Sequence, residues 1–260
     1  MSELFKDSKR IVVKVGTSTL THENGKLNLR TMNRLVRTLS DLRNSGKEII
    51  LVSSGAIGVG VGKLNLTHKP YDVGGRQACA AVGQCELMYI YDKLFLEYGY
   101  VTAQVLLTRG ITDDENRKRN VQNTFVRLLD MGALPIVNEN DTVSVEELEF
   151  GDNDTLSAIV AKLTLADSLV ILTDIDGLYD RNPKEYDDAK LIHHVDKITD
   201  EIKSIAGGRG STRGTGGMIT KLQAAEIAME AGIKTAIING HDPENLYRLF
   251  DGEEIGTVFY

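Results

Sequence analysis

The sequence predicts an α/β chain: a three-layer α/β/α sandwich around a mostly parallel central sheet. Two observations carry this. Six short runs rich in Val, Ile and Leu recur along the 260 residues, and near-continuous apolar runs mark strands covered on both faces, as in parallel sheets. Between them lie stretches with apolar residues at steps of three and four, the spacing of one helix face. Such alternation implies right-handed crossovers, with helices on both sides of the sheet.

The first strand is read over Arg10 to Val15, where Ile11, Val12, Val13 and Val15 surround a lysine, Lys14. A helix over Asn28 to Arg43 aligns Met32, Leu35, Val36, Leu39 and Leu42, and Glu48 to Ser53 is the second strand. A helix over Arg76 to Tyr98 is expected to bury Ala78, Ala81, Val82, Cys85, Met88 and Phe95. Strands at Val101 to Leu107 and Ala133 to Val137 flank a helix over Asp114 to Met131, whose first residues form a mixed charge run read as a solvated face. Thr142 to Phe150 alternates like a small β-hairpin. A helix over Asp154 to Leu165 leads into a strand at Ser168 to Thr173. The last long helix, Met218 to Ala231, sets Met218, Leu222, Ala225, Met229 and Gly232 along one face before a strand at Lys234 to Ile238. No internal repeat or domain boundary interrupts residues 1–260, which read as one domain.

Composition narrows the function. A net charge of -7 without a long basic run argues against binding duplex nucleic acid. No apolar run reaches the roughly 20 residues of a membrane span, and Met1 to Arg10 carries no apolar signal segment, so a cytoplasmic location is expected. Cys79 and Cys85 match neither a C-x-x-C motif nor a disulfide framework and are expected to be reduced core thiols. The five histidines form no metal-site spacing.

Chemistry is concentrated at the strand ends. They read Lys14-Val15-Gly16-Thr17-Ser18, Ser53-Ser54-Gly55-Ala56-Ile57-Gly58, Asn138-Glu139-Asn140-Asp141 and Thr173-Asp174-Ile175-Asp176-Gly177. Each alone is an ordinary turn. Four of them in one α/β sheet converge on the crevice where such folds bind ligands. Lys14 interrupts an apolar strand, and a buried ammonium must reach an anion. Gly151-Asp152-Asn153-Asp154 holds more polar groups than a helix cap needs, and these could orient lysines, grip a polar substrate or meet Mg²⁺. Six of the eleven residues from Gly207 to Gly217 are glycine, and the run opens into a helix bearing Lys221. Backbone amides and a helix N-terminus in that arrangement suit phosphate. Neither G-x-x-x-x-G-K-[ST] nor G-x-G-x-x-G occurs, so this is not a P-loop or an evident dinucleotide site.

Taken in order, Val12-Val13-Lys14-Val15-Gly16-Thr17-Ser18, Val52-Ser53-Ser54-Gly55-Ala56-Ile57, Asn138-Glu139-Asn140-Asp141, Gly151-Asp152-Asn153-Asp154 and Gly214-Thr215-Gly216-Gly217-Met218-Ile219-Thr220-Lys221 resemble the amino-acid kinase family, in its glutamate-phosphorylating branch. The match runs from about Lys9 to Phe259. The resemblance implies ATP-dependent phosphorylation of the γ-carboxylate of L-glutamate to γ-glutamyl phosphate, the first step of proline biosynthesis, with Mg²⁺ arriving as MgATP. It implies that Lys14 and Lys221 hold the transferred phosphoryl group and that Asp154 orients both. Ser54, Asp141 and Asn153 would bind the acceptor. Lys14, Thr173, Asp174, Thr215, Gly216, Gly217, Met218, Ile219, Thr220 and Lys221 would meet ATP, with the glycine run as a lid. The N-terminal part would form mainly a glutamate lobe and residues from about 165 to 260 mainly an ATP lobe. Longer members carry a C-terminal RNA-binding-type module called PUA; this chain, ending at Tyr260, is expected to be a short form without it. Proline as feedback inhibitor, a homo-oligomer and contact with glutamyl phosphate reductase are further implications. Two alternatives stay open: a sibling kinase with UMP, aspartate or acetylglutamate as acceptor, and a non-catalytic nucleotide or amino-acid sensor on the same fold.

Overall fold

In the computed structural model, which describes residues 3–22, 24–143, 153–206 and 217–260, eight strands form one sheet in the order β3-β4-β2-β1-β5-β7-β8-β6. The centre is β1 (Arg10–Val15), parallel to β2 (Glu48–Ser53) on one side and to β5 (Ser168–Thr173) on the other. β4 (Leu134–Glu139) and β3 (Thr102–Leu107) extend the β2 side, and β7 (Lys234–Asn239) extends the β5 side, all parallel. The exceptions are two short strands, β8 (Thr257–Phe259), antiparallel to β7, and β6 (His194–Val195), parallel to β8.

Side chains of β1 alternate between two cores. Ile11, Val13 and Val15 pack with α2 (Leu29–Asn44), α4 (Val73–Leu96) and α9 (Asn245–Phe250). Val12 packs with α5 (Glu115–Asp130), α6 (Asn153–Thr164) and α8 (Met218–Glu230). These two apolar layers sandwich the sheet, as expected. The period of two puts Lys14 on the Val12 side, facing α6. The connection after β1 runs to β2, whereas α6 leads from β4 to β5 on the other side of β1. The carboxyl ends of β1 and β5 therefore meet at the point where the winding reverses, the place where open α/β sheets leave a crevice.

Two short helices, α1 (Thr17–Leu20) and α7 (Asp200–Ala206), are also present, and local signals explain three of the helix starts. Asn28 caps α2 by accepting from the Thr31 N–H, Asp72 caps α4 through the Gly75 N–H, and Asp114 caps α5 through the N–H groups of Asn116 and Arg117. The expected buried face of α2 is present in full, with Met32, Leu35, Val36, Leu39 and Leu42 in the core. The charge run after Asp114 is a solvated face carrying the Glu115–Lys118 pair.

Three expectations change. α4 does not bury Ala78, Ala81, Val82, Cys85 and Met88; it buries Cys79, Ala80, Gly83, Gln84, Leu87, Tyr91, Leu94 and Phe95. The reason is the helix α3 (Ala56–Lys63), which lies so close to α4 that a Cβ on Gly60 would strike the Cys79 carbonyl and one on Gly83 the Ala56 carbonyl. The small residues set the contact face. Accordingly Cys79 is a free core thiol, while Cys85 is free and exposed. Gly232 is not part of the α8 face; it takes φ +71° just beyond the helix and closes it. The hairpin expected at Thr142 to Phe150 lies, from residue 144 onward, outside the described residues.

Candidate active site

A cavity of about 480 Å³ opens at the carboxyl ends of β1, β2, β4 and β5. All four polar strand ends read from the sequence contribute to it: Lys14, Gly16, Thr17 and Ser18; Ser54 to Gly58; Asn138, Glu139 and Asp141; and Thr173 and Asp174. Asn153 and Lys221 join them from α6 and α8.

Asp154 lies at the base. It sits in the first turn of α6, fully buried, between two lysines. Lys14 Nζ is 2.6 Å from Oδ1 and Lys221 Nζ is 3.0 Å from Oδ2. Both lysine side chains are only 6% exposed. Burial pushes the Asp154 carboxyl up, but the two ammonium groups and their hydrogen bonds outweigh it and hold the group below its ordinary carboxylate range. The Thr220 hydroxyl adds a contact to Oδ2 at 3.1 Å and donates also toward the Gly217 carbonyl at 2.7 Å. One carboxylate thus fixes two cations that come from opposite ends of the chain. The three residues carry a net +1, which suits the cavity to an anion.

Backbone groups support the same reading. Gly55 takes φ +107° at the end of β2, a conformation that glycine adopts without strain, and turns the chain sharply into α3. Ala56, Ile57 and Gly58 in the first turn of α3 line the cavity, where unpaired helix N–H groups favour negative charge. Gly16 leaves room beside Lys14; a Cβ there would lie 3.7 Å from the ammonium nitrogen.

The other end of the cavity is built for a polar ligand. The Asn153 amide nitrogen donates to Ser54 Oγ at 2.9 Å, to Asn138 Oδ1 at 2.8 Å and more distantly to the Ser53 carbonyl at 3.3 Å. Asn138 Nδ2 donates to Gln84 Oε1 at 2.9 Å. Nearby, burial first and then the neighbouring Glu139 push the Asp141 carboxyl up to about 6, with Lys69 acting in the opposite sense. Lys69, on the segment between α3 and α4, lines the same cavity.

Of the residues singled out in the sequence, Lys14, Ser54, Asp141, Asn153, Thr173, Asp174 and Lys221 share this cavity, and Asp154 underlies it. Gly217, Met218 and Ile219 open α8 but are not among the lining residues; Met218 packs against the core and Ile219 is exposed. Thr215 and Gly216, with the rest of the Gly207 to Gly214 run, and Gly151 and Asp152 lie outside the described residues. Asp176 is a brace: it accepts from Asn239 Nδ2 at 2.8 Å and from the Tyr179 hydroxyl at 3.0 Å. Sequence reasoning missed Lys69 and Gln84, and it noted Asn138 only as part of a turn. A lysine in a loop and a glutamine within a helix leave no periodic signal.

The chain belongs to the amino acid kinase family, whose model matches residues 9–239. Within it, the chain is similar along its whole length to glutamate 5-kinases. It is 57% identical to that of Clostridium perfringens, covering 100% of this chain and 98% of the relative. It is 56% identical to that of Listeria monocytogenes serotype 4a, over 100% and 95%. The Caldanaerobacter subterraneus enzyme is 57% identical over 96% of this chain and 67% of its own length. Among solved structures, the T. acidophilum isopentenyl phosphate kinase product complex superposes with a TM-score of 0.65 at 19% identity, over 97% and 100% of the two chains. UMP kinase from Bacillus anthracis gives 0.65 at 14%, over 97% and 96%. At those identities the likeness is one of fold.

Proposed function

We propose that this protein transfers the γ-phosphoryl group of ATP to the γ-carboxylate of L-glutamate, giving γ-glutamyl phosphate for proline biosynthesis. The observation that carries the reading is the Lys14–Asp154–Lys221 arrangement at the reversal point of the sheet, with an amide-rich polar end beside it. The similarity to glutamate 5-kinases over the full chain supports the choice of acceptor.

The chemistry fits the groups present. A free γ-carboxylate has a pKa of about 4.3, so at neutral pH it is already the nucleophile and needs no general base. Among the described residues no histidine lines the cavity. What remains is to bring two anions together and to stabilise charge on the transferring phosphoryl oxygens, which positioned cations and amides do. Lys14 and Lys221 flank the position of the phosphoryl group, and Asp154 keeps both ammonium groups aimed. Thr173 at the end of β5 and Asp174 just beyond it, with Gly217 to Lys221 at the start of α8, form the ATP side; the family resemblance adds Thr215 and Gly216 to it. Ser54, Asp141 and Asn153 form the glutamate side. The N-terminal part is mainly the glutamate lobe and residues from about 165 to 260 mainly the ATP lobe.

The cavity also fits magnesium brought in with ATP. Among the described residues no cluster of three His, Cys, Asp or Glu side chains could cage a metal. Mg²⁺ is commonly held through phosphates and one or two carboxylates, and Asp174 at the cavity edge is the carboxylate we assign to it. When bound, the ion supplies neutralisation of phosphate charge. The reading carries the family's further expectations: proline as a feedback inhibitor at the glutamate end, a homo-oligomer, delivery of product to glutamyl phosphate reductase, and a cytoplasmic location. No helix among the described residues is long and apolar enough to cross a membrane.

An acceptor panel tests the assignment. ADP release is measured with L-glutamate, UMP, aspartate and acetylglutamate at equal MgATP. Glutamate is expected to be the preferred acceptor; preference for UMP would move the chain to a sibling activity, and ligand-induced thermal stabilisation without any turnover would favour a sensor.

A further inference from the structure

Behind the cavity runs a chain of three buried amides from three elements: Gln84 in α4, Asn138 at the end of β4 and Asn153 at the start of α6. Gln84 does not line the cavity. The hydrogen bonds have a direction. The Ser53 main-chain carbonyl can only accept, so the nearby side-chain atom of Asn153 is its NH₂. That NH₂ has two hydrogens, which the shorter contacts to Asn138 Oδ1 at 2.8 Å and Ser54 Oγ at 2.9 Å take up, leaving the Ser53 carbonyl a longer, shared contact at 3.3 Å. Asn138 must therefore present its oxygen to Asn153 and its own NH₂ to the rear. There Gln84 Oε1 accepts it at 2.9 Å.

The consequence lies at the front of the chain. With Nδ2 committed to the protein, the Asn153 side chain has its carbonyl oxygen left for a ligand in the cavity it lines. A carbonyl oxygen, beside the carboxylates of Asp141 and Glu139 that line the same cavity, asks for a donor with positive charge. Without an acceptor at position 84, Asn138 is left with a buried unsatisfied donor and gains by turning over. Its NH₂ would then face the Asn153 NH₂, a clash between donors that outweighs the long 3.3 Å contact holding Asn153 to the Ser53 carbonyl; Asn153 would turn, offering donors where the ligand needs an acceptor.

We infer that Gln84 is a positioning residue for acceptor specificity: through Asn138 it fixes the polarity of the Asn153 amide, so that the site recognises the α-ammonium group of an amino acid. The inference rests on the proposed glutamate reading for the identity of the acceptor. It adds the reason that an amino-dicarboxylate is preferred to a plain dicarboxylate.

The test compares binding of L-glutamate with binding of glutarate, which lacks only the ammonium, by titration calorimetry. Gln84→Met keeps the volume and removes the acceptor; Gln84→Glu keeps an acceptor oxygen. Wild type is expected to prefer glutamate. Gln84→Met should reduce the glutamate-to-glutarate affinity ratio about tenfold or more, the scale of one unsatisfied buried donor. Gln84→Glu should hold the ratio within about twofold of wild type, whatever its melting temperature, because the relay needs only an acceptor. A purely structural role would lower stability in both variants and leave the ratio unmoved. An unchanged ratio in Gln84→Met, equal losses in both variants, or no wild-type preference for glutamate would overturn the inference. If Gln84→Met does not fold, Gln84→Leu, which also removes the acceptor, is measured in its place: a tenfold loss of the ratio supports the relay and a retained ratio refutes it. Binding is read in place of turnover, so a protein that binds glutamate selectively but transfers no phosphate refutes the proposed activity and leaves the relay standing.

Discussion

Lys14 on the central strand and Asp154 in the first turn of the helix above it form an ion pair of 2.6 Å, with the lysine 6% exposed and the aspartate fully buried. The strand places the lysine there by its period of two: Val12 and Lys14 face the α6 layer, Ile11, Val13 and Val15 the other. Lys221 closes the pair into a triad from the other edge of the cavity.

Removing Asp154 strands two buried ammonium groups. Asp154→Ala should destabilise the protein by about 3–5 kcal/mol, the usual loss when one member of a buried charge pair is deleted. Chemical unfolding checks this. Asp154→Asn preserves shape but not charge, and should retain more stability than Asp154→Ala while losing most turnover.

The two lysines should act on the transition state more than on binding. Lys14→Ala and Lys221→Ala are each expected to lower kcat by about 10² or more, in the range seen when a charge-stabilising donor is removed. The KM for glutamate should move far less. Arginine at position 14 should not restore turnover, because its planar fork does not reproduce a compact ammonium in a 6% exposed site. Steady-state kinetics of the three variants decide this.

Acidic pH should weaken glutamate binding through Asp141. Its folded-state pKa is raised to about 6, chiefly by burial, and only the ionised form attracts an ammonium group. The KM for glutamate should therefore rise as pH falls through about 6, a window above the pKa of the substrate γ-carboxylate, about 4.3. Asp141→Asn should raise KM at neutral pH and flatten the profile. The stability linkage has the matching sign. A raised carboxyl pKa means that the folded state binds the proton more tightly, so the stability Asp141 contributes is greatest below its ordinary value of 3.8 and is lost as pH rises toward 6. Asp154, held low, behaves oppositely: its contribution is present at neutral pH and is lost on acidification through and below the ordinary carboxylate range.

The α3–α4 contact should tolerate no added methyl. Gly60→Ala and Gly83→Ala push a Cβ into backbone carbonyls of Cys79 and Ala56, and overpacking of this kind costs about 1–3 kcal/mol. Because the first turn of α3 lines the cavity, the same variants should also raise ligand KM values. Thermal unfolding and kinetics on one preparation test both effects.

The parts of this fold legible in the sequence are those set by local patterns. The runs at Ile11 to Val15 and Ser168 to Thr173, and the face of α2, need only a period and a neighbouring turn. Lys14 stood out because an ammonium in an apolar strand demands a partner; its partner, Asp154, is 140 positions away and became evident only through the family resemblance. The α4 face was misread because the helix is rich in small and apolar residues on several sides, and burial there is decided by how closely α3 approaches. β6 and β8, two and three residues long, carry too little pattern to register. Gln84 is invisible as a site residue, and Asn138 registers only as part of a strand-end turn, because their role lies in the direction of hydrogen bonds across three elements, which no spacing encodes.

In the function we propose, Lys14 and Lys221, fixed by one carboxylate, stabilise the phosphoryl group as it passes from ATP to the glutamate γ-carboxylate. Trapping the acyl phosphate with hydroxylamine, in the presence of MgATP and L-glutamate, tests it most directly. The wild-type protein is expected to form γ-glutamyl hydroxamate, and Lys221→Ala nearly none. Wild-type hydroxamate no higher than that of Lys221→Ala would rule out the proposed transfer.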